Sequence, residues 1–593
     1  MEEIHGDGGP LPPIPDDLTI HEFILDTPYP SRPVPRKPQP WLIEEKTGRE
    51  IGSDELRARV FGLANALKTR WNIGQVHLVP CIFSPNHVGA QLPHCHPSYT
   101  SLRTANPSYT AEELVYQLDT TKAKLLFVHP ANLSIALDAV RAIGIPADCV
   151  VLFDPVPGST RPNVQDLVVR GLRETQQFTE RRLKAGEAKT KLALLCFSSG
   201  TTGKAKAVMI PHYSIIANVI QMAQHLRLTD ETMPSEHICY KPGSVTLAVL
   251  PFFHLYGMHM ILFGSMFFAS TVVVSQKFEL EQMLESVQRY RVTHLYLVPP
   301  MALLMCKARP ERPANVSRSC LLQSPVTKNY DLSSVYFLMV GAAPVSAELT
   351  EQLIRVLPQG CWIGQGYGMS ELATCISFHR PDQKIGTLGC AGVLLPGIIA
   401  RVVKQDGSRA SFGEPGELHL KSPSMSLGYL NNTKATAETF RDGWLITGDE
   451  VTINEKKEIF VVDRIKELIK VRGYQVAPAE LEGHLLDHPD IADVCVVGIP
   501  DQYSGELPFA FVVLRAETQA RIKHDPAQED SVRASIMKHV TDHKVYYKRL
   551  AGVEFVDSVP KNPSGKLLRR ILRDQAKAML AKGQLKLAPK AKL

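Results

Sequence analysis

The sequence lacks the marks of several broad protein classes. None of its 11 cysteines belongs to a CxxC pair, and several stand inside apolar runs. This excludes a small disulfide scaffold and indicates free thiols in a reducing compartment. The opening residues are acidic and proline-rich without an apolar core, so we expect no secretory signal peptide. The net charge of +6 over 593 residues is too dilute to predict nucleic-acid binding, although polyanionic small ligands stay possible.

A long uninterrupted apolar run is also missing. Residues 247–274 are apolar enough to be weighed as a membrane span, but Pro251, His254 and His259 interrupt them. We therefore predict a strand, a loop, a buried helix and a second strand there, and no membrane span. Hydrophobic residues make up 44% and charged residues 21% of the chain, a balance typical of globular proteins that excludes wholesale disorder.

The order of the patterns along the chain predicts two domains. From about residue 41 to 464, β-branched runs alternate with helical patterns, which predicts a large α/β domain over 41–464 with largely buried strands. The pattern then restarts as a smaller α+β domain over 465–593. Prolines crowd residues 8–40, so we expect residues 1–40 to be an extended arm lying on the surface.

One loop carries the sharpest chemical signal. It joins the apolar runs LALLCF and AVMIPH and combines glycines, hydroxyl side chains and lysines. Glycine lets the backbone approach an anion, hydroxyls donate to phosphate oxygens, and lysine supplies positive charge. The spacing is not that of a Walker A loop, so phosphate binding and a solvated turn stay open as alternatives. The candidate residues are Ser198, Ser199, Gly200, Thr201, Thr202, Gly203 and Lys206.

The same residues resemble a known family signature. The run SSGTTGKAKAVM is similar to that of the adenylate-forming superfamily, which includes acyl- and aryl-CoA synthetases, coumarate–CoA ligases, firefly luciferase and peptide-synthetase adenylation domains. Ala205 stands where the family usually has proline. Further similar motifs follow in the family's order at residues 341–344, 365–371, 444–449, 463–467, 472–475 and 560–566.

The resemblance implies an adenylate-forming fold, with a large N-terminal domain of layered sheets and helices and a small mobile C-terminal lid domain. It also implies roles for single residues. Lys566, His254 and Lys206 would be catalytic, and Lys466 would be the hinge between the domains. Glu371 and Thr201 would hold Mg²⁺. Beyond the loop, the nucleotide would contact Ala343, Gln365, Gly366, Tyr367, Ser370, Asp449, Arg464 and Lys566.

The resemblance further implies two substrate sites. The acyl group would lie against His254, Tyr256, Ala342, Gly366 and Leu372, and CoA against Lys277, Lys470, Arg472 and Gly473. The residues alone favour other interpretations: His254 as a core histidine, Asp449 as a turn residue and Arg464 as part of a surface ion pair. Six motifs in one order favour the functional interpretation.

The implied activity is ligation of a carboxylic acid to CoA through an acyl-adenylate, with ATP, Mg²⁺ and CoA as cofactors or co-substrates. Three alternatives stay open. The protein could load a separate carrier protein, act as a luciferase-like oxygenase, or bind nucleotide without catalysis. The partners we expect are the acid, CoA and a peroxisomal import receptor, because Ala591-Lys592-Leu593 resembles the peroxisomal address Ser-Lys-Leu. Without that import the protein is expected in the cytoplasm.

One segment departs from the family. Residues 89–104 carry two prolines and little apolar periodicity where relatives have an apolar helix and a strand. We expect a divergent loop. His94, Cys95 and His96 could alternatively ligate a metal, although alternate residues on a loop are a weak signal for one.

Overall fold

The computed structural model describes residues 3–34, 38–73, 81–83, 102–177, 182–198, 205–307, 326–472, 474–501, 504–561 and 566–587. Most of the atypical 89–104 segment, with His94, Cys95 and His96, therefore lies outside the described residues. Within them the α-helices are Ser53–Trp71, Ala111–Thr121, Leu133–Ala142, Val164–Arg173, His212–His225, Ser265–Phe267, Leu280–Tyr290, Pro299–Lys307, Ala347–Val356, Thr433–Thr439, Pro478–Leu485, Ala516–His524, Gln528–His543 and Arg569–Ala581.

Two largely parallel sheets form the centre of the large domain, as expected from buried, β-branched strands. In spatial order the first contains Trp362–Gln365, Phe337–Val340, His294–Leu297, Val245–Ala248, Thr271–Val274, Leu42–Glu44 and Glu50–Ile51. The second contains Val150–Leu152, Leu126–Val128, Cys81–Phe83, Leu102–Ala105, Leu192–Ser198 and Lys206–Pro211. Each sheet ends in one antiparallel pair.

Antiparallel strands complete the large domain beside these sheets. One sheet contains Ile4–His5, Ile399–Val403, Gly416–Lys421, Trp444–Ile453, Phe440–Arg441 and Ile459–Arg464. A short one contains Tyr367–Met369, Thr374–Phe378 and Val393–Leu394. The strand Ile459–Arg464 of the larger sheet ends two residues before Lys466, the predicted hinge.

The small domain is built on its own five-stranded sheet. Its strands are Tyr474–Val476, Ile469–Val471, Gly505–Leu514, Ile491–Asp501 and Gly552–Phe555. Val496, Ala510 and Ile536 lie in its core with almost no exposed surface. The predicted helices and strands of this domain are present. Two helices, Ala516–His524 and Arg569–Ala581, were not predicted, because both are strongly charged and present only a narrow apolar face.

The N-terminal arm differs from the prediction of a segment lying on the surface. Ile4–His5 pairs with Ile399–Val403 as an antiparallel edge strand. Phe23 is fully buried and stacks on Phe267, with 5.0 Å between ring centroids. The anchor lies in residues 16–27, a proline-free stretch between two proline-rich ones, where apolar residues cluster and the π-helix Glu22–Asp26 forms.

The apolar stretch at 247–274 folds inside the large domain. It contains the strand Val245–Ala248, a π-helix over Tyr256–Gly264 and the strand Thr271–Val274, in agreement with the predicted sequence of elements. Across the described ranges, every helix is too short or too polar to span a bilayer.

Candidate functional site

A cavity of about 2010 Å³ lies between the two domains. It is lined from the large domain by the carboxyl ends of parallel strands and the loops that follow them, the usual position of ligand sites in α/β folds. The small domain closes it with Lys566 and the Pro478–Leu485 helix. The predicted site residues that line it are Ser198, Lys206, His254, Tyr256, Ala342, Ala343, Gln365, Gly366, Tyr367, Ser370, Glu371, Asp449, Arg464, Lys466 and Lys566.

The remaining predicted site residues fall into two groups, those outside the described residues and those that the structure places away from the cavity. Ser199, Gly200, Thr201, Thr202, Gly203 and Gly473 lie outside the described residues. Leu372 was predicted to contact the acyl group, and this is wrong for the described geometry. Its side chain is fully buried in the core, because the chain reverses direction at Ala373 and carries Leu372 away from the cavity. Thr374, two residues later, lines the cavity instead.

The three described residues assigned to CoA also lie off the cavity wall. Lys277 is exposed and pairs with Glu279. The main-chain N–H of Lys470 donates to Glu506 at 3.0 Å, and the Arg472 side chain donates to the Ser504 hydroxyl at 3.2 Å. The last two belong to the small domain, so their position relative to the cavity depends on the orientation of that domain.

Asp449 is the centre of a buried polar group at one end of the cavity. The Tyr367 hydroxyl donates to one of its carboxylate oxygens at 2.6 Å, and Arg464 lies 3.2 Å from the other. The Asp449 charge raises the pKa of Arg464. Burial, and then that same charge, raises the pKa of Tyr367 well above its ordinary value. The Asp449 carboxylate beside Arg464 offers a fixed acceptor next to an aromatic ring, which suits a hydroxylated ring ligand such as a nucleoside.

A second polar group faces the cavity near the start of the signature loop. Glu371 is buried and accepts a hydrogen bond from the Tyr429 hydroxyl at 2.8 Å. The Lys206 ammonium lies 4.8 Å from the centroid of the same tyrosine ring. Tyr429 therefore holds a carboxylate and an ammonium on one side of the cavity, close to the point where the loop leaves the strand Leu192–Ser198.

His254 has a defined tautomer. Its Nδ1 accepts the main-chain N–H of Tyr256 at 3.2 Å, so the neutral ring carries its proton on Nε2. Burial, and then the charge of Lys566, lowers the pKa of His254 to about 4. The side chain is thus an uncharged hydrogen-bond donor in the cavity wall, able to bind a carboxylate or acyl oxygen without supplying a proton.

Small residues shape the cavity beside His254. A Cβ on Gly366 would lie 1.9 Å from Cε of Met339, and one on Gly341 would lie 3.2 Å from the ring of Tyr256. Tyr256 itself is fixed through its hydroxyl, which donates to the Met339 carbonyl at 3.1 Å. A side chain at either position would collide with Met339 or press on Tyr256, so glycine lets these two residues pack closely against the cavity wall.

The backbone around the cavity is strained at three residues that are not glycine. Ala342 has φ +71°, Ala373 +53° and Thr374 +125°. Positive φ is most costly for the β-branched Thr374, and such strain persists only where the surrounding structure holds it. Ala342 and Thr374 line the cavity, and nine other described non-glycine residues with positive φ lie away from it.

Lys566 reaches the cavity from the small domain. Burial, and then the positive charge of Arg464, lowers its pKa to about 8. Its charge in turn lowers the pKa of His254. Lys566 is therefore a largely desolvated cation between Arg464 and His254, at the place where the two polar ends of the cavity meet.

A buried ionic cluster fixes this orientation of the small domain. Arg569, three residues after Lys566, donates to Glu482 on the Pro478–Leu485 helix and to Glu467 just after the hinge. It also lies 3.9 Å from Asp463 at the end of the large domain. The cluster ties hinge, helix and Lys566 together. It was not predicted, because Arg569 read as one cation in the basic run KLLRR.

Tyr429 and Thr104 were missed as well. Thr104 lines the cavity, and its hydroxyl donates to the Phe253 carbonyl at 2.7 Å, which supports the loop that carries His254. Nothing in their local sequence sets either residue apart from ordinary core positions. Only the tertiary contacts show that they belong to the site.

Two family profiles match the chain. The profile of the AMP-binding enzyme family matches residues 99–430, and that of the AMP-binding enzyme C-terminal domain matches residues 480–566. The chain is 38% identical over 476 residues to 4-coumarate–CoA ligase 3 of Arabidopsis thaliana, covering 79% of this chain and 76% of that protein. It is 33% identical over 604 residues to the acyl-CoA ligase AKT1 of Alternaria alternata, covering 96% of each chain.

Solved structures share the fold. The anthranilate CoA ligase AuaEII in complex with anthranoyl-AMP superimposes with a TM-score of 0.76 at 22% identity, covering 96% of this chain and 99% of that one. ATP-bound MatB from Rhodopseudomonas palustris gives 0.75 at 22% identity, covering 95% and 99%. The predicted architecture of a large domain with a small lid is thereby confirmed. Family profiles and sequence relatives agree with it, and the chain belongs to the AMP-binding enzyme family.

Proposed function

We propose that the protein is an ATP-dependent, AMP-forming ligase that joins an aromatic carboxylic acid to CoA. The observation that carries the proposal is the position of Lys566. It is a desolvated cation from the small domain that lies in the same cavity as the large-domain residues Asp449, Glu371 and His254. Polar groups suited to a nucleotide, to a carboxylate and to the phosphorus between them therefore face the same cavity.

The chemistry requires this concentration of positive charge. A carboxylate attacks the α-phosphorus of ATP, a P–O bond to pyrophosphate breaks, and an acyl-adenylate forms. Both reactants are anions, so charge builds on oxygens that the enzyme must stabilise. Lys566 lies between the ribose end marked by Asp449 and the acyl end marked by His254, where the oxygens joining acid and phosphate would stand. Lys206 serves the departing pyrophosphate.

The residues present fit a magnesium ion. Mg²⁺ in nucleotide sites is held by one or two carboxylates together with substrate phosphates and water. Glu371 supplies a buried carboxylate in the cavity wall, oriented by Tyr429. The other predicted ligand, Thr201, lies outside the described residues. When bound, the ion would neutralise phosphate charge and favour departure of pyrophosphate. Glu371 and Tyr429 would hold it in place.

The second half-reaction transfers the acyl group from the adenylate to the CoA thiol, which releases AMP. A thiol must reach the acyl carbonyl that Lys566 crowds, so the small domain has to turn about Lys466 and present another face. Lys470 and Arg472 lie on the same domain, away from the cavity wall, in agreement with a change of face. Loading a separate carrier protein needs the same motion and stays an alternative acceptor.

The relatives support an aromatic acid. Tyr256 and Met339 fill the space beside Gly341 and Gly366, so the structure supplies an aromatic and an apolar side chain there. The relatives named above include a 4-coumarate–CoA ligase and an anthranilate CoA ligase. We therefore place the substrate among hydroxycinnamic or benzoic acids.

The test is a panel of acids with the purified full chain, ATP, Mg²⁺ and CoA. Cinnamic, benzoic, medium-chain and long-chain acids are compared by pyrophosphate release and by mass spectrometry of the CoA thioester. The expected result is acid-dependent release with a matching aromatic thioester. Nucleotide binding by a cooperatively folded protein that releases no pyrophosphate with any acid would favour the non-catalytic alternative.

Import into peroxisomes is a further proposal, supported by the resemblance of Ala591-Lys592-Leu593 to a peroxisomal address. The tripeptide lies outside the described residues. Removing it from an N-terminally labelled chain should turn a punctate distribution diffuse. A distribution that stays the same after the removal would mean that the tripeptide is not an address.

A further inference from the structure

Three histidines meet in the small domain, apart from the residues assigned to catalysis. His484 stands near the end of the Pro478–Leu485 helix. His539 and His543 are four residues apart on the Gln528–His543 helix, so they share one face of it. One ring nitrogen from each lies within 4.8 Å of the others. His484 also borders the cavity between the domains.

The hydrogen bonds define the tautomer of each ring. His484 Nε2 lies 3.0 Å from the carbonyl oxygen of His539, and His539 Nε2 lies 3.1 Å from that of His484. His543 Nδ1 lies 2.8 Å from the His539 carbonyl. A carbonyl oxygen only accepts, so each of these nitrogens carries the proton. In the neutral state the second nitrogen of each ring keeps its lone pair.

Each ring shares one feature with metal-bound histidines. A ligating imidazole almost always donates its other N–H to a carbonyl or carboxylate, which fixes the tautomer and orients the ring. Two histidines four residues apart on a helix, with a third on a neighbouring element, are a recurrent ligand set for zinc. In the described part of the chain, these are the only three groups of this kind that lie close enough to share an ion.

We propose that His484, His539 and His543 form a binding site for a divalent transition metal that prefers imidazole, with Zn²⁺ as the expected ion. The site would clamp the helix that closes the catalytic cavity onto the helix behind it. It is independent of the proposed ligase activity, because it uses none of the residues that face the nucleotide or the acid.

The rings must adjust to take up the ion. At bond lengths of about 2.0–2.1 Å, the nitrogens of a tetrahedral zinc site lie about 3.3 Å apart. His484 and His539 are stacked, with 4.2 Å between centroids and 6° between planes, so one of them has to rotate to share an ion with the other. His543 is exposed at the helix end and is free of packing on one side.

The local charges are compatible with a cation. Lys538 precedes His539 on the same helix and is paired with Asp542 at 2.6 Å, and Lys544, which follows the helix, is paired with Glu480 at 3.2 Å. Glu480 also pairs with Lys548, so the lysines beside the cluster are partly neutralised.

The test is zinc binding by the full chain without an affinity tag, measured by competition with a chromophoric chelator. We expect one saturable equivalent. His543→Ala should bind zinc at least about 10- to 100-fold more weakly. His524→Ala is the matched control, because it also removes an exposed histidine from the last turn of a small-domain helix. It should bind as the unmodified chain does.

Cobalt gives a second readout that does not depend on activity. Co²⁺ bound by the unmodified chain should show the visible absorption of a low-coordinate nitrogen site, and His543→Ala should lose it. The inference is overturned if the unmodified chain takes up no saturable equivalent of zinc. It is equally overturned if His543→Ala and His524→Ala bind zinc alike. Because ligase activity is not measured, neither result bears on the proposed function.

Discussion

Lys566 combines a catalytic position with an unusual ionisation. Burial and the charge of Arg464 lower its pKa to about 8, so the side chain is cationic below that pH and loses its charge as the pH rises through it. Since the cation is the form that stabilises developing negative charge, activity should follow its protonation.

The resulting prediction concerns the alkaline limb of the pH profile. kcat/KM for ATP in pyrophosphate release should fall as the pH rises above about 8. In Lys566→Arg the guanidinium stays charged, so its remaining activity should keep a flat profile to higher pH. A limb at the same pH in both proteins would assign it to another group.

His254 leads to a different prediction, because its pKa of about 4 keeps it neutral at ordinary pH. His254→Leu removes the Nε2–H donor and should lower kcat/KM for the acid by about 100-fold. Nucleotide affinity, measured by calorimetry, should be unchanged. Equal losses of acid and nucleotide binding would indicate that His254 supports the fold of the cavity and not the acid.

At this scale the sequence predicted those residues that stand in short, ordered motifs. Asp449, Tyr367, Glu371 and Lys566 lie in the cavity as expected. Tyr429 and Arg569 could not be predicted, because their roles come from contacts with residues far away in the chain. Leu372 was misassigned for the same reason. The next residue, Ala373, has a left-handed backbone conformation that no sequence pattern predicted, and Leu372 packs into the core.

Among the elements of the fold, the N-terminal arm has a packing role that its proline-rich composition did not predict. Its prolines predicted a surface segment, yet Phe23 is fully buried on Phe267, and the buried Glu22 accepts from the Thr19 main chain at 2.9 Å and pairs with Arg182 at 2.7 Å. The arm is therefore part of the large-domain core.

This leads to a stability prediction. Phe23→Ala should lower the free energy of unfolding of the large domain by about 3–5 kcal/mol, because it leaves a cavity against Phe267. Val34→Ala is the control, since Val34 is 85% exposed and its loss should change stability by less than about 0.5 kcal/mol. Urea unfolding followed by circular dichroism would compare them. A similar effect from both would mean that the arm detaches readily.

Elements with a clear hydrophobic periodicity and many apolar residues could be predicted from the sequence. The strongly charged helices could not. The strand Thr271–Val274 and the helix His212–His225 follow directly from buried β-branched and amphipathic patterns. The helix Arg569–Ala581 buries only Arg569, Leu572 and Ala576, so its pattern is mostly that of a solvated segment. Its existence depends on packing against the small-domain sheet.

On the scale of the whole molecule, the two proposed half-reactions require the small domain to occupy two orientations. The structure shows the one in which Lys566 lies in the cavity and the Arg569 cluster joins the hinge to the lid. Of the Arg569 contacts, the one to Asp463 at 3.9 Å crosses the hinge, so a turn about Lys466 would break it and keep the pairs with Glu467 and Glu482.

Restricting the hinge should separate the two half-reactions. Proline at position 466 fixes φ near −65° and limits rotation there. Lys466→Pro should retain acid-dependent pyrophosphate release in a single turnover while thioester formation falls by at least about tenfold. Lys466→Ala, which removes the side chain without fixing the backbone, is the control. Equal rates of thioester formation in both variants would place the hinge elsewhere.

The most direct test of the account is the half-reaction profile of Lys566→Ala. Single-turnover pyrophosphate release from ATP and acid, and thioester formation from supplied acyl-adenylate and CoA, are measured on the same preparation. The account predicts that the first is lost by several orders of magnitude, because the cation at the phosphorus is gone, and that the second is largely retained. Equal loss of both half-reactions would contradict the assignment of Lys566 to adenylate formation and the exchange of faces that depends on it.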